Sequence, residues 1–237
     1  MNPISFFEQS KLKPFHILLI FWLFIIMMFE GYDVVIYGAT IPFLKESWGI
    51  SNMVAGSIGS YTTMGTAAGA VLFGLYSNHF GRKRIIIFTT MLFSIFTMLS
   101  GFAPNAIIFT ICRVIAGFGF GGVMPNIASL ISEYSPIKYR AAIISFIFCG
   151  YSVGAMGASF IGQALLTDFG WQPVYWIGAI PLICIPFMLK AIPESLDYLL
   201  HNKQHDRIAM VVDKIQPSVA ATLDFTYQKI AQAQKSP

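Results

Sequence analysis

Charge is what this sequence has least of. Only 11% of its 237 residues are charged, against about 25% in an ordinary soluble domain, and that scarcity excludes a water-soluble fold. Cysteine is scarce too: the three residues, Cys112, Cys149 and Cys184, sit in separate apolar blocks without a CxxC pair or a His-rich neighbourhood. Neither a disulfide framework nor a zinc site is therefore expected, and the three read as small packing residues. The four histidines, His16, His79, His201 and His205, lie at span ends, in a loop or in the tail. With no HExxH, no GxSxG and no clustered His/Asp set inside the apolar blocks, an embedded enzyme is excluded, and no metal or other cofactor is expected. The formal charge of +4 is spread over loops rather than concentrated in a run or on one face, so no nucleic-acid partner is indicated.

Apolar residues, at 56%, come in long blocks. A span needs roughly 20 apolar residues to cross about 30 Å of hydrocarbon. Six segments qualify: 17–39, 54–76, 85–103, 106–131, 141–166 and 172–189. The first is too long for the apolar region of a signal peptide and is read as a retained span. The expected fold is an all-α membrane protein, with a 1–16 N-terminal segment, a 17–192 bundle of six transmembrane helices, and a 193–237 tail that begins a central loop. Lys11 and Lys13 precede span one, Arg82, Lys83 and Arg84 precede span three, and Lys138 and Arg140 precede span five. Of basic residues the opposite loops hold only Lys45: there is no charge around Pro104, and the third has Asp168. The positive-inside bias places both termini in the cytoplasm of a multi-pass inner-membrane protein, and an even span number, which puts the termini on one side, agrees with that.

Small residues crowd spans two, four and five, which should bury them against neighbours. Span three, bulky throughout, is expected to face lipid more. Trp48 and Trp171 fall where an interfacial aromatic belt would put them. In the tail, Ile208, Val211, Val212 and Ile215 follow a helical period that stops at Pro217. Two readings are open: a helix lying on the membrane or a partner, or a marginal helix in a disordered tail.

Three ionisable residues interrupt the spans: Glu30 and Asp33 in the first, Arg113 in the fourth. Each costs several kcal/mol if isolated in mid-membrane, so such groups pair or face a wet cavity. Glu30 and Asp33 are three apart and share a helix face, with Gly31 between them allowing a close approach. A carboxyl group shut away from water can load and release a proton near neutral pH. Asp33 and Arg113 lie at similar depths, so a contact between them is reasonable. The alternative is that Arg113 snorkels to the interface and the acids are its counter-ions. Tyr32, Tyr37 and Tyr61 are either cavity-lining or ordinary interfacial aromatics.

Gly74-Leu75-Tyr76-Ser77-Asn78-His79-Phe80-Gly81-Arg82-Lys83-Arg84 resembles the loop signature of the major facilitator superfamily, in which two glycines bracket an acid and a base and a basic cluster follows. Arg113 with Gly117, Gly119 and Gly121 is similar to the superfamily's fourth-helix motif, whose arginine is linked to proton coupling. Glu133-Tyr134-Ser135-Pro136 followed by Arg140, and Pro193-Glu194-Ser195, resemble the cytoplasmic ends of helices four and six. Glu30-Gly31-Tyr32-Asp33 resembles the acidic first-helix motif of the aromatic acid:proton symporters, carriers of benzoate and hydroxybenzoate. Span five lacks the Gly-Pro signature of antiporters. The resemblance implies half of a twelve-helix fold, built as two inverted three-helix repeats, in which Glu30, Asp33 and Arg113 couple a small organic acid to a proton. It departs from the pattern where Asn78 and His79 replace the usual acid and base, which weakens the loop's latch. Members have two six-helix halves with substrate between them, whereas this sequence matches one. Its partners would be the bilayer, a small organic acid and a proton. A half-carrier that transports nothing until it meets a second half or a second copy of itself is the alternative.

Overall fold

The structure is a computed structural model, and it describes residues 3–216. Residues 217–237, including Pro217 and nearly half of the expected tail, lie outside the described residues, as do residues 1 and 2. Among the described residues ten α-helices follow in chain order: α1 Pro3–Gln9, α2 Pro14–Trp48, α3 Asn52–Phe80, α4 Arg82–Ser100, α5 Ala106–Tyr134, α6 Arg140–Phe169, α7 Gln172–Trp176, α8 Ile180–Ala191, α9 Leu196–His201 and α10 His205–Ile215. Short 3-10 turns at Ile137–Tyr139 and Ile177–Ala179 lead into α6 and join α7 to α8. No strand occurs among the described residues.

Local chemistry sets the helix limits. Pro14 opens α2 at a position where a missing N–H costs nothing. Gly49 closes it with a left-handed φ of 63°, a conformation that glycine adopts without a Cβ clash. Ser51 and Asn105 cap α3 and α5 by accepting the amides of Val54 and Ile108. Gly81 is the whole connection between α3 and α4: at φ 91° it reverses the chain in one residue.

Five rods are long and apolar enough to span a membrane: α2, α4, α5, the 3-10 turn with α6, and the α7–α8 rod. The remaining long helix, α3, has 29 residues but is diluted by Gly56, Gly59, Gly65, Gly69 and Gly74 and by several serines and threonines. These six rods form the bundle. The most extensive packing joins α2 to α6 and α3 to α5. Exchanging the first three rods with the last three converts one pairing into the other, as two inverted three-helix repeats require.

Both pairings use glycine to bring backbones together. A Cβ on Gly31 would overlap the Tyr151 carbonyl, and one on Gly154 the Met28 carbonyl. Across α3 and α5, Gly65 and Gly69 meet Val114 and Phe118, while Gly117 and Gly121 meet Thr62 and Thr66. Close approach of this kind replaces the hydrophobic effect as the source of helix association in lipid. Gly56 and Gly74 have nothing within 4 Å, so only part of the small-residue content is used inside this bundle.

The expectation that span three faces lipid is overturned. One side of α4 buries Thr89, Thr90, Ser94, Thr97 and Ser100, and it is α3 that stays largely exposed, through Tyr61, Met64, Val71 and Leu75. Polar residues at helical spacing inside a bulky run mark the inward side, and the bulk alone is misleading. Trp171 is buried rather than belted at an interface. Its ring meets those of Trp48 at 5.0 Å and Phe109 at 5.9 Å in edge-on geometry. Cys112 is buried, but Cys149 is exposed on α6, contrary to a packing role for all three cysteines. The amphipathic α10 lies on the bundle's own end: Ile208, Val212 and Ile215 are buried in one cluster with Leu196, Leu199, Leu200 and Phe7.

Candidate functional site

Asp33 on α2 and Arg113 on α5 meet in the middle of the bundle. The Arg113 Nη1 donates to both Asp33 oxygens, at 2.8 and 2.6 Å, and each residue is 1% exposed, which rules out snorkelling. Thr97 of α4 donates to Asp33 Oδ1 at 2.7 Å, so three helices converge on one carboxylate. The guanidinium also lies 5.5 Å from the Tyr37 ring centroid and 5.9 Å from that of Tyr175, within cation–π range. Tyr175 and Thr40 share a 2.7 Å hydroxyl contact, and Thr40 donates back to the Tyr37 carbonyl. Arg113 is thus held between an anion and two aromatic faces.

Glu30 lies one turn before Asp33. It is 4% exposed, and its Oε2 has no hydrogen-bond partner. The two acids are therefore unequal: Asp33 is fully engaged and Glu30 is not. Tyr32 is committed to the Val174 carbonyl at 2.7 Å and Tyr37 to that of Ala55 at 2.5 Å. Tyr61 is exposed on α3. Thr97, Tyr175 and Thr40 were not singled out in the sequence. For Thr97 a signal exists, since Thr90, Ser94 and Thr97 recur on one face of α4.

A second cluster closes the basic end of the bundle. Arg82 forms an ion pair with Glu133 at the end of α5 and a 3.5 Å contact with Asp197 on α9. Glu133 also accepts from the Ser195 hydroxyl and from the Leu196 amide, the latter at 2.6 Å. Glu194 accepts from the Lys83 and Ser195 amides, both at 3.0 Å, and a Cβ on Gly81 would press on its carboxylate. Lys83 Nζ donates to the Leu189 carbonyl, and Tyr134 to that of Glu194, each at 2.5 Å. The connection after α3 is thereby tied to α5, α8 and α9 of the same bundle. Of the other motif residues, Gly74 stands in open space and Asn78 lies within α3. Gly117 and Gly121 hold α5 against α3, and Arg140 reaches Glu8 at 3.7 Å. Substituting Glu133→Ala leaves Arg82 with only its 3.5 Å contact to Asp197 and strands two donors, a loss of about 1–3 kcal/mol for groups this buried. Hydrogen exchange over residues 196–201 should accelerate roughly tenfold, and unchanged exchange would show that the cluster holds nothing.

Residues 23–220 match the model of the Major Facilitator Superfamily. The chain belongs to that superfamily. Among its curated relatives, the benzoate transport protein of Acinetobacter baylyi is 39% identical over 92% of this chain and 48% of its own length. The 4-hydroxybenzoate transporter PcaK of Pseudomonas putida is 30% identical over 92% of this chain and 49% of its own. The chain spans about half the length of the curated relatives it matches. Among solved superfamily structures, the xylose transporter XylE from E. coli in a partially occluded inward-open conformation aligns with a TM-score of 0.80, over 93% of this chain and 60% of XylE. At 21% identity that likeness shows the fold alone. These relatives are transporters, and the superfamily fold is a carrier scaffold rather than an enzyme's.

Proposed function

We propose that this chain is the N-terminal six-helix half of a proton-coupled carrier that moves a small aromatic or related organic carboxylate into the cell. It would sit in the inner membrane with both termini cytoplasmic, residues 1–16 preceding the 17–192 bundle and 193–237 opening a central loop. The observation that carries the reading is the buried Asp33–Arg113 pair with Glu30 one turn away. Charged groups at that depth are costly, and where they are retained they mark substrate or proton pathways; the relatives' names supply the substrate class. In this reading Asp33 and Glu30 carry the proton. Arg113 either restrains Asp33 or meets the carboxylate of the substrate, a role its planar fork of donors suits. Gly74, Asn78, Gly81, Arg82 and Lys83, with Glu133 and Arg140, would brace the cytoplasmic side.

The test is uptake of labelled benzoate or 4-hydroxybenzoate by cells expressing the chain, with and without a protonophore. Protonophore-sensitive accumulation is expected to disappear in Asp33→Asn at equal membrane abundance, and full uptake by that variant would remove Asp33 from the mechanism.

A second reading is favoured by the exposure of α3: the chain transports only when a second six-helix half, or a second copy, covers that face. Uptake that appears only on co-expression with a second half would select it.

A further inference from the structure

An apolar groove of about 620 Å³ runs along the outside of the bundle between α2 and α6. Its walls include Leu12, Ile17, Phe21, Phe24, Tyr139 and Phe146. Phe24 and Phe146 stack at 5.3 Å to bridge the two helices, while Ile17, Phe21 and Phe146 are each more than half exposed. At the basic end the groove opens into a polar recess lined by Lys11, Lys138 and Glu8, and Leu12 and Tyr139 belong to both. The only acid of that recess, Glu8, faces Arg140 at 3.7 Å. No ion pair involves Lys11 or Lys138 among the described residues, although Lys138 lies 5.4 Å from the Tyr139 ring centroid.

We propose that this composite surface is a binding site for one anionic glycerophospholipid. An acyl chain fills the α2–α6 groove, and the phosphate sits between Lys11 and Lys138, with Tyr139 at the boundary of the two regions. The argument is one of matched chemistry: a wholly apolar channel ends in uncompensated cations at the membrane interface, where amphipathic aromatics settle. A zwitterionic lipid fills the groove equally well but brings its own cation to the two lysines. A bound lipid would tie the α1–α2 connection to the one between α5 and α6, and so brace the helix that carries Glu30 and Asp33.

The experiment is native mass spectrometry of the full chain titrated with dioleoyl phosphatidylglycerol or dioleoyl phosphatidylcholine. A basic residue near an anionic headgroup strengthens binding roughly fivefold, so the wild type should prefer phosphatidylglycerol by about tenfold or more. Lys11→Gln with Lys138→Gln should reduce that preference to near unity, whereas Lys203→Gln, at another exposed lysine, should leave it intact. Ala142→Trp, placed in the groove wall, should reduce retention of both lipids. Equal retention of the two lipids by the wild type would overturn the proposal. So would an unaltered preference in the double variant, an equal loss in Lys203→Gln, or dimers in place of lipid adducts.

Discussion

Arg113→Leu should cost this protein more stability than any other single side-chain truncation. The variant leaves the Asp33 carboxylate, 1% exposed, with the Thr97 hydroxyl as its one remaining donor. Removing one partner of a buried ion pair typically costs about 3–5 kcal/mol, because the charge left behind is uncompensated. For a chain of this size that corresponds to a fall of roughly 10 °C or more in the midpoint of thermal unfolding. The neutral pair Asp33→Asn with Arg113→Leu removes both charges and should recover most of that loss. Circular dichroism of the purified variants in detergent measures both changes. A double variant no more stable than Arg113→Leu would mean that the guanidinium acts chiefly through its packing on Tyr37 and Tyr175 rather than through the charge of Asp33. In the proposed mechanism transport separates from stability here: the double variant should be folded and inactive, since it lacks both the acid and the arginine to which coupling is assigned.

The charged pair was legible in the sequence because charge in a long apolar run admits few explanations. Six rods were legible for the same reason, and the two glycine-rich crossings partly so. What was not legible is which way each rod faces. The bulk of α4 concealed the row at Thr90, Ser94 and Thr97, and only the packing of α4 on α5 decides that Thr97, rather than either neighbour, reaches Asp33. Tyr175 and Thr40 enter through contacts between residues 135 apart, which no local pattern records. The second cluster shows the same division. The basic run at Arg82 to Arg84 was evident, yet that it binds Glu133, Glu194 and α9 within its own bundle depends on how α5 and α8 end beside one another. The amphipathic period of α10 announced a buried face without saying that the bundle itself would cover it.

Gly154→Leu should prevent the bundle from assembling. A Cβ at this position falls on the Met28 carbonyl and close to the Tyr32 amide, and a backbone atom cannot rotate aside as a side chain can. Overpacking against movable side chains costs about 1–3 kcal/mol, and here α2 and α6 must separate along a line that also includes Gly31 against Tyr151 and Gly150 against Phe24. The loss is therefore expected to exceed that range, with little monodisperse protein recovered on size-exclusion chromatography. Gly157, one turn further along α6, has nothing within 4 Å, so Gly157→Leu is the matched control and should be recovered like the wild type. Gly121→Leu extends the argument to the other pairing, since its Cβ meets the Thr66 carbonyl and the Ala70 amide of α3. If the two repeats are held by the same device, Gly121→Leu should fail as Gly154→Leu does. Recovery of Gly121→Leu beside failure of Gly154→Leu would show that α3 can ride off α5 while α2 cannot leave α6, and would place any movement within this half on the α3–α5 side.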